Sequence, residues 1–359
     1  MKNRIAIVTL PGNYNYGNRL QAYALSRVIQ DMGYQPKFIV PYTEKIKVIK
    51  WTKYIITLLL AGKPRSICVR IKKERAISPF SKQYLHEGTV GNELYEYGIV
   101  GSDQVWHPSG IKVKNFYRYF LTFLPPEKRI AYAPSFGVSV IPENKKTFYE
   151  RYLPEFSHIS VREQTGATLV KNATQEVAQV VVDPTLLLTD IAWSDLAAEA
   201  NCKFADEKYL IRYTLGGMST EIEKKLSEYA NIHGLKIREI MGDSMESGDG
   251  GEIPTVPEFL SLIKNASAVF TDSFHACVFS TIFHTPFIAL KRPGVDMSSR
   301  IVTLLSMTGM ENNLYDGEKS FKSIIDEMDY SKSDKNISTK RKDSMTYLYE
   351  ALNISELID

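Results

Sequence analysis

The sequence has few of the features that identify the most familiar protein classes. Its three cysteines, Cys68, Cys202 and Cys277, are far apart and form no CxxC pair, which excludes a disulfide framework and a cysteine-rich zinc site. The apolar run Ile5 to Leu10 is shorter than a signal-peptide core and far shorter than the ~20 residues of a membrane span. We therefore expect a cytoplasmic protein in a reducing compartment, without a metal site.

The charge and the absence of several motifs exclude further protein classes. Lys and Arg together number 44 and Asp and Glu 41, and a net charge of +3 is too small to indicate nucleic acid as a partner. The chain contains no HExxH, no complete GxGxxG, no P-loop lysine motif and no nucleophile elbow. Metalloproteases, Rossmann dehydrogenases, P-loop kinases and lipases are therefore disfavoured.

What the sequence does contain is a regular alternation of short apolar runs with amphipathic stretches, which is typical of α/β proteins with parallel sheets. One series of apolar runs starts at Ile5. A second starts with Tyr209 to Tyr213 and includes Ala268 to Thr271, and both runs are predicted strands. An Asp- and Ala-rich junction from Thr189 to Glu207 lies between the two series. A chain of 359 residues with 44 % hydrophobic content is large enough for two cores. We predict two α/β units with a cleft between them.

Loops at the carboxyl ends of parallel strands form the ligand crevice of such folds. The loop GNYNYGNRLQ, Gly12 to Gln21, precedes a predicted helix that Asn18 is placed to cap. Its backbone N–H groups and asparagine side chains suit an anion or sugar hydroxyls, and the alternative is a tight turn at a domain interface.

The segment VGSDQVWHP places the carboxylate of Asp103 at the exit of a predicted strand, beside Trp106 and His107. An aromatic ring next to an acid is a common way to hold a sugar. Asp103 also suits a general base for a sugar hydroxyl. The alternative is that Asp103 only caps the turn that follows.

Two later segments supply cationic groups. Arg162 follows a predicted strand, where a guanidinium can bind phosphate or carboxylate, the alternative being a salt bridge to Glu163. In VFTDSFHACVFSTIF a strand ends at a helix start, so Ser273 and the first backbone N–H groups point toward a bound phosphate. His275 becomes a proton donor beside the same anion, and Arg300 can add positive charge.

One basic segment departs from the average composition. From Lys47 to Lys73 there are eight Lys or Arg and no Asp or Glu, around the apolar run Tyr54 to Ala61. One interpretation is an interfacial helix that contacts anionic lipid or a lipid-linked substrate at the inner face of the membrane. The other is a helical hairpin packed on the first domain with a solvated basic face.

Taken in order, these motifs resemble the polysaccharide pyruvyltransferase family. The resemblance is carried, between Ile5 and Met310, by GNYNYGNRLQAYAL, VGSDQVWHP, YAPSFG, SVRE, VVDPTLL, TDSFHACVFS and SRIVTLLSMTGM. It implies two Rossmann-like domains facing a central cleft in a GT-B-like arrangement. The expected limits are 1–190 for the acceptor-side domain, 191–330 for the donor-side domain, and 331–359 for a helical tail that returns to the first domain.

The resemblance also implies transfer of the enolpyruvyl group of phosphoenolpyruvate to two hydroxyls of a free or lipid-linked sugar, giving a pyruvate ketal and phosphate in capsular, extracellular or cell-wall polysaccharide biosynthesis. Phosphoenolpyruvate is then a co-substrate, and no tightly bound cofactor is expected. The expected catalytic residues are His275 as acid, Asp103 as base or orienter of the sugar, and Arg162 on the donor.

The expected substrate-binding residues are Asn15, Gly17, Asn18, Gln21, Ser102, Gln104, Trp106, Ser273, Phe274 and Arg300. Arg300 is included because many relatives carry Arg or another residue where this chain has Ser273 or Phe274. Two other functions fit the same residues. A GT-B glycosyltransferase would take a nucleotide sugar in the same cleft, and a non-catalytic sugar-binding protein would release no phosphate.

Overall fold

The computed structural model describes residues 3–39, 52–53, 55–57, 59–60, 64–88, 90, 94–112, 116–200, 207–242, 251–292 and 298–354. The N-terminal half is built from β1 (Arg4–Val8), α1 (Tyr16–Asp31), β2 (Gln35–Ile39), α2 (Pro64–Tyr84), β3 (Glu87–Gly88), β4 (Tyr97–Val100), β5 (Arg129–Ala131), α3 (Glu143–Tyr152), β6 (His158–Val161), α4 (Gln164–Thr174) and β7 (Gln179–Val180). The C-terminal half continues with α5 (Asp190–Ala198), β8 (Tyr209–Tyr213), α6 (Thr220–Ile232), β9 (Lys236–Glu239), α7 (Val256–Asn265), β10 (Ala268–Thr271), α8 (Phe274–Ile282), β11 (Phe287–Ala289), α9 (Ser298–Thr308), α10 (Phe321–Asp326) and α11 (Tyr330–Ala351).

Within the described residues the strands form two parallel sheets, one in each half. The first has the order β3-β2-β1-β4-β5-β6-β7 and the second the order β11-β10-β8-β9. All strand pairs in both sheets are parallel. Parallel neighbours need crossover connections, which the intervening helices supply. The predicted fold class, α/β with Rossmann-like units, is confirmed.

The strand order of each sheet reverses at one point, between β1 and β4 in the first sheet and between β8 and β10 in the second. Such a reversal opens a crevice at the carboxyl ends of the strands, where α/β proteins bind their ligands. The loop before α1 and the loop of Asp103 flank the first crevice. The loop after β8 and the start of α8 flank the second.

Both halves share one continuous hydrophobic core. Trp193 of α5 packs edge-on against Phe279 of α8, with ring centroids 4.9 Å apart, and lies 5.7 Å from Tyr23 of α1. These three rings belong to a single buried cluster that contains strands and helices of both halves. The outer face of each sheet has its own smaller core. Because the shared core joins the halves, it sets how the two crevices face each other.

The last helix, α11, packs against the N-terminal half. The Tyr347 hydroxyl donates to the Ala131 carbonyl oxygen of β5 at 2.9 Å, and the backbone N–H of Val182 donates to Ser344 Oγ at 3.0 Å.

The expected domain limits at residues 190 and 330 remain predictions. No described helix is long and apolar enough to cross a bilayer.

The start of α1 differs from its prediction by one helical turn. Asn15 is the N-cap, with extended backbone angles φ −128° and ψ 120°, and its side chain accepts from the backbone N–H of Asn18. Asn18 therefore lies inside the first turn, and its side chain is free for tertiary contacts. The prediction that Asn18 caps this helix is wrong, because an equally good capping residue stands three positions earlier.

Candidate active site

The carboxylate of Asp183 lies at the centre of a buried polar cluster just after β7. Asp183 Oδ2 accepts from Arg162 Nη1 at 2.6 Å and from Ser102 Oγ at 2.7 Å. Asp183 Oδ1 accepts from Thr185 Oγ1 at 2.7 Å and from the Thr185 backbone N–H at 3.0 Å. Each of these contacts comes from the N-terminal half, and together they fix the carboxylate in one orientation.

Arg162 and His275 come from different halves and meet at this carboxylate. His275 Nε2 lies 3.7 Å from Asp183 Oδ2, and the His275 side chain is 9 % exposed. The Arg162 side chain is 2 % exposed, and its guanidinium carbon lies 4.4 Å from the ring centroid of Phe274. The sequence predicted Arg162 and His275 as site residues, and the structure places them together at the carboxyl ends of β6 and β10.

Opposite charges in the cluster stabilise each other's ionised forms. Burial alone would raise the pKa of Asp183, but His275 and Arg162 hold it well below its usual range. Burial alone would lower the pKa of Arg162, but Asp183 and Glu163 raise it above its usual value. Both groups are therefore fully charged at neutral pH.

Several nitrogen atoms of the cluster are buried without a hydrogen-bond partner among the described residues. They are Arg162 Nε, Arg162 Nη2, His275 Nε2 and Arg300 Nε. Burial and the neighbouring charge of Arg162 lower the pKa of Arg300 to about 10, so it still carries its charge at neutral pH. Buried donors are normally paired, and guanidinium groups pair best with phosphate or carboxylate oxygens. The arrangement is therefore suited to a small anion.

Asp103 is held in place by the first turn of α1. Asn18 Nδ2 donates to Asp103 Oδ2 at 2.7 Å, and Arg19 Nε donates to Asn18 Oδ1 at 2.8 Å, which orients the amide nitrogen toward Asp103. Asp103 has a φ of 83°, a conformation that Asp adopts more readily than most residues. Although burial opposes it, the charges of Arg162 and His275 and the Asn18 hydrogen bond lower the pKa of Asp103. Asp103 is thus an oriented anion at the edge of the same site.

The two residues before Asn18 bring α1 against the C-terminal half. The Tyr16 hydroxyl donates to the Pro254 carbonyl oxygen at 2.7 Å, and the Tyr16 ring stacks on Phe259 with centroids 4.4 Å apart. At Gly17, an added Cβ atom would lie 2.0 Å from His275 Nδ1. Gly17 is required because the imidazole occupies the space of a side chain, so its role is close packing against His275.

Two predicted substrate-binding residues belong to the protein interior. Trp106 is fully buried, its Nε1 donates to the Tyr119 carbonyl oxygen at 3.0 Å, and its ring packs against Phe120. It offers no ring face to a sugar, so that expectation is wrong. Gln21 has no exposed surface, and its Nε2 donates to the Asn18 carbonyl oxygen at 2.8 Å. Gln21 therefore supports the first turn of α1, and its role in substrate binding stays a prediction.

The remaining predicted residues have local contacts of their own. Asn15 caps α1, and Ser273 caps α8 by accepting from the backbone N–H of Ala276 at 3.5 Å. The Gln104 side chain lies against Gly137, where an added Cβ would be 2.3 Å from Gln104 Nε2. Ser102 connects Arg162 to Asp183, since Arg162 Nη1 also donates to Ser102 Oγ at 3.0 Å.

Sequence reasoning did not assign Asp183 a place in the site. The signal was an Asp-Pro-Thr sequence directly after the apolar run Val180 to Val182, a position at which an acid reaches the ligand-binding edge of a parallel sheet. Because Asp-Pro is also a common turn, that pattern alone did not distinguish a site residue from a turn residue.

The fold is that of GT-B-like sugar-processing enzymes. The structure is similar to UDP-N-acetylglucosamine 2-epimerase from Rickettsia bellii, with a TM-score of 0.52 at 8 % identity over 98 % of this chain and 97 % of that one. It is also similar to the putative epimerase from Listeria monocytogenes, with a TM-score of 0.53 at 9 % identity over 99 % and 98 % of the two chains. At such low identity the similarity shows the fold alone.

The chain belongs to the polysaccharide pyruvyl transferase family, whose model matches residues 15–292. That range includes the first turn of α1, Asp103, Arg162, Asp183 and His275. None of the curated proteins compared with the chain matches it. The family resemblance seen in the sequence motifs is thus confirmed.

Proposed function

We propose that this protein transfers the enolpyruvyl group of phosphoenolpyruvate to two hydroxyls of a sugar, forming a pyruvate ketal and releasing phosphate in polysaccharide biosynthesis. The observation that supports this most is the meeting of Arg162 and His275 at the Asp183 carboxylate, 2.6 Å and 3.7 Å from its Oδ2. A reaction of an anionic enol ester needs a cationic group that binds the ester and a side chain that protonates it. Arg162 and His275 can supply both at one buried position.

Phosphoenolpyruvate carries a phosphate and a carboxylate, so its site needs several fixed donors. Arg162 Nη1 donates to Asp183, while Arg162 Nε, Arg162 Nη2 and Arg300 Nε have no hydrogen-bond partner among the described residues. Arg162 Nε lies 3.9 Å from Glu163 Oε2, within ion-pair distance. In the proposed complex these N–H groups bind the oxygens of the donor. Burial strengthens each charge-assisted hydrogen bond, and the rigid carboxylate keeps the guanidinium from turning away.

His275 supplies the proton in the proposed reaction. Protonation of the methylene carbon makes the adjacent carbon electrophilic, and a sugar hydroxyl adds to that carbon. Phosphate then leaves, and the second hydroxyl takes its place. The two hydroxyls release two protons in total, of which one remains in the new methyl group and the other leaves with phosphate. Asp183 holds the imidazole near the donor throughout, since it contacts His275 at 3.7 Å.

Asp103 and Asn18 are the proposed contacts of the acceptor sugar. The lowered pKa of Asp103 makes it a weak base, which favours a role in orienting a hydroxyl by accepting its hydrogen bond. Asn18 fixes the direction of that carboxylate. Since Trp106 is buried, the sugar is recognised through hydroxyl contacts and not by stacking on that ring.

The test is phosphate release from phosphoenolpyruvate with a panel of free and lipid-linked sugars. We expect His275→Ala to lower turnover by roughly 10²- to 10⁴-fold while the protein stays folded. The matched control is His284→Ala, since His284 lies at the surface and pairs with Asp334, and its turnover should match the unaltered protein.

Two results would count against the proposal. Unchanged turnover in His275→Ala would remove His275 from the mechanism. Thermal stabilisation by a nucleotide diphosphate and none by phosphoenolpyruvate would favour glycosyl transfer, because a bound ligand at ~100 times its Kd stabilises the folded state by about 2.7 kcal/mol.

A further inference from the structure

An exposed apolar helix face lies in the basic segment before α2. Residues 52–53, 55–57 and 59–60 are helical, and Ile56, Leu59 and Leu60 are 49 %, 55 % and 84 % exposed. Spacings of three and four residues put these side chains on the same side of a helix. No other helix in the described part of the chain exposes more than one large apolar side chain. We refer to Ile56, Leu59 and Leu60 as the apolar face.

The sequence around the apolar face is cationic. It lies within the stretch of 27 residues from 47 to 73 that carries eight Lys or Arg and no acid. Lys53 is exposed on the same turns, and Lys72 and Arg75 are exposed on α2. Lys72 and Arg75 line a groove of about 460 Å³ that Gly251 and Ile253 close on its other side. Exposed apolar side chains among cations match the chemistry of an anionic bilayer surface.

The helix that follows the apolar face is attached to both halves of the protein. Lys73 Nζ donates to the Gly242 carbonyl oxygen of the C-terminal half at 2.8 Å. Asn13 Nδ2, in the loop before α1, donates to Glu74 Oε1 at 2.8 Å. The α2 helix is therefore fixed beside the loop that leads to Gly17 and the candidate site.

We propose that the apolar face, together with Lys53, Lys72 and Arg75, docks the protein on the surface of a bilayer that contains anionic lipid. The apolar side chains enter the boundary between head groups and acyl chains, and the cations bind lipid phosphates. Docking of this kind turns the side of α2 that carries Lys72 and Arg75 toward the membrane. The proposal concerns binding alone and does not depend on the proposed reaction.

The test is co-sedimentation of the full chain with vesicles of phosphatidylcholine, with and without phosphatidylglycerol. We expect binding that needs phosphatidylglycerol and weakens as salt rises from about 0.1 M to about 0.5 M, because salt screens charges. Replacing Ile56, Leu59 and Leu60 together by Ser should weaken binding about tenfold or more, since less apolar surface is buried. The matched control replaces Val177, Ile191 and Ile232 by Ser, three exposed side chains elsewhere, and should bind normally.

The contribution of the cationic side chains to vesicle binding is tested separately. Lys72→Glu with Arg75→Glu should reduce binding to the anionic vesicles, whereas Lys171→Glu with Lys224→Glu, at other exposed positions, should leave most of it. Thermal unfolding of each variant reports whether it folds. Equal binding to neutral and anionic vesicles, or none to either, would overturn the proposal. So would a dimer in light scattering that the triple Ser variant abolishes, since a second copy would then cover the apolar face.

Discussion

Two buried aspartates, one in each half, show how similar chemistry can have different consequences. Asp272 follows β10 and accepts from the backbone N–H groups of Leu215 and Gly216 at 2.6 and 2.8 Å. It also accepts from Arg292 Nε at 3.0 Å. Each of these partners belongs to the C-terminal half, so Asp272 orders the loop after β8 and keeps the second crevice in shape.

Asp183 likewise follows a strand and binds an arginine, but it reaches across to the other half. Its Oδ2 lies 3.7 Å from His275 Nε2, and the arginine it binds keeps two nitrogen atoms without a hydrogen-bond partner among the described residues. In this pair, the acid whose hydrogen-bond and ion-pair partners all lie in one half orders a loop. An acid that joins the halves and leaves donors available marks the site.

Neutralising each acid tests whether the two aspartates differ in this way. Asp183→Asn leaves the buried Arg162 charge without its partner, and we expect a loss of about 3–5 kcal/mol in the free energy of unfolding together with loss of turnover. Asp272→Asn should cost less, about 1–3 kcal/mol, because the Arg292 side chain is 16 % exposed and keeps contact with water. Urea unfolding and phosphate release measure both. Retained turnover in Asp183→Asn would contradict the assignment.

A second prediction concerns the contact between the halves at Gly17. In Gly17→Ala the new Cβ would lie 2.0 Å from His275 Nδ1, so the imidazole must move, and we expect a loss of about 1–3 kcal/mol in stability and a fall in turnover. In a His275→Ala background the stability cost should largely disappear, because the ring is absent. An equal cost in both backgrounds would show that His275 is not what excludes the side chain.

The smallest expected effect comes from two tyrosines that each donate one buried hydrogen bond. Tyr16 bonds Pro254 of the other half at 2.7 Å, whereas Tyr149 bonds Trp106 of its own half at 2.6 Å. Replacement by Phe should cost each variant about 0.5–1.5 kcal/mol in stability. Only Tyr16→Phe should also lower kcat, since Tyr16 holds the turn beside His275. Equal kcat values in the two variants would show that Tyr16 does not hold the turn beside His275 for catalysis.

The sequence predicted the strands best where they are buried and rich in β-branched and aromatic residues. The predicted runs Tyr209–Tyr213 and Ala268–Thr271 match β8 and β10. The strands Gln35–Ile39 and Glu87–Gly88 were not predicted. The first contains a proline and a lysine, and the second has only two residues, so neither forms an apolar run.

Some residues of the candidate site could be predicted from the sequence and others could not, for a related reason. Arg162, His275 and Asp103 follow apolar runs, and the carboxyl ends of parallel strands converge, so their neighbourhood follows from local pattern. Trp106 was misjudged because an aromatic next to an acid looks the same whether its ring faces a ligand or the core. Asp183 was missed because its partners Arg162 and His275 are distant in sequence.

By itself the sequence determined the alternation of strand and helix, the parallel sheets and the family, because these follow from periodic burial and from motifs a few residues long. Only the tertiary structure decided which side chains meet between the halves. The shared core around Trp193 sets the position of α8 against α1, and no local pattern encodes that packing. The imidazole of His275 therefore lies against Gly17 and beside Asp183 as a consequence of how the two halves pack.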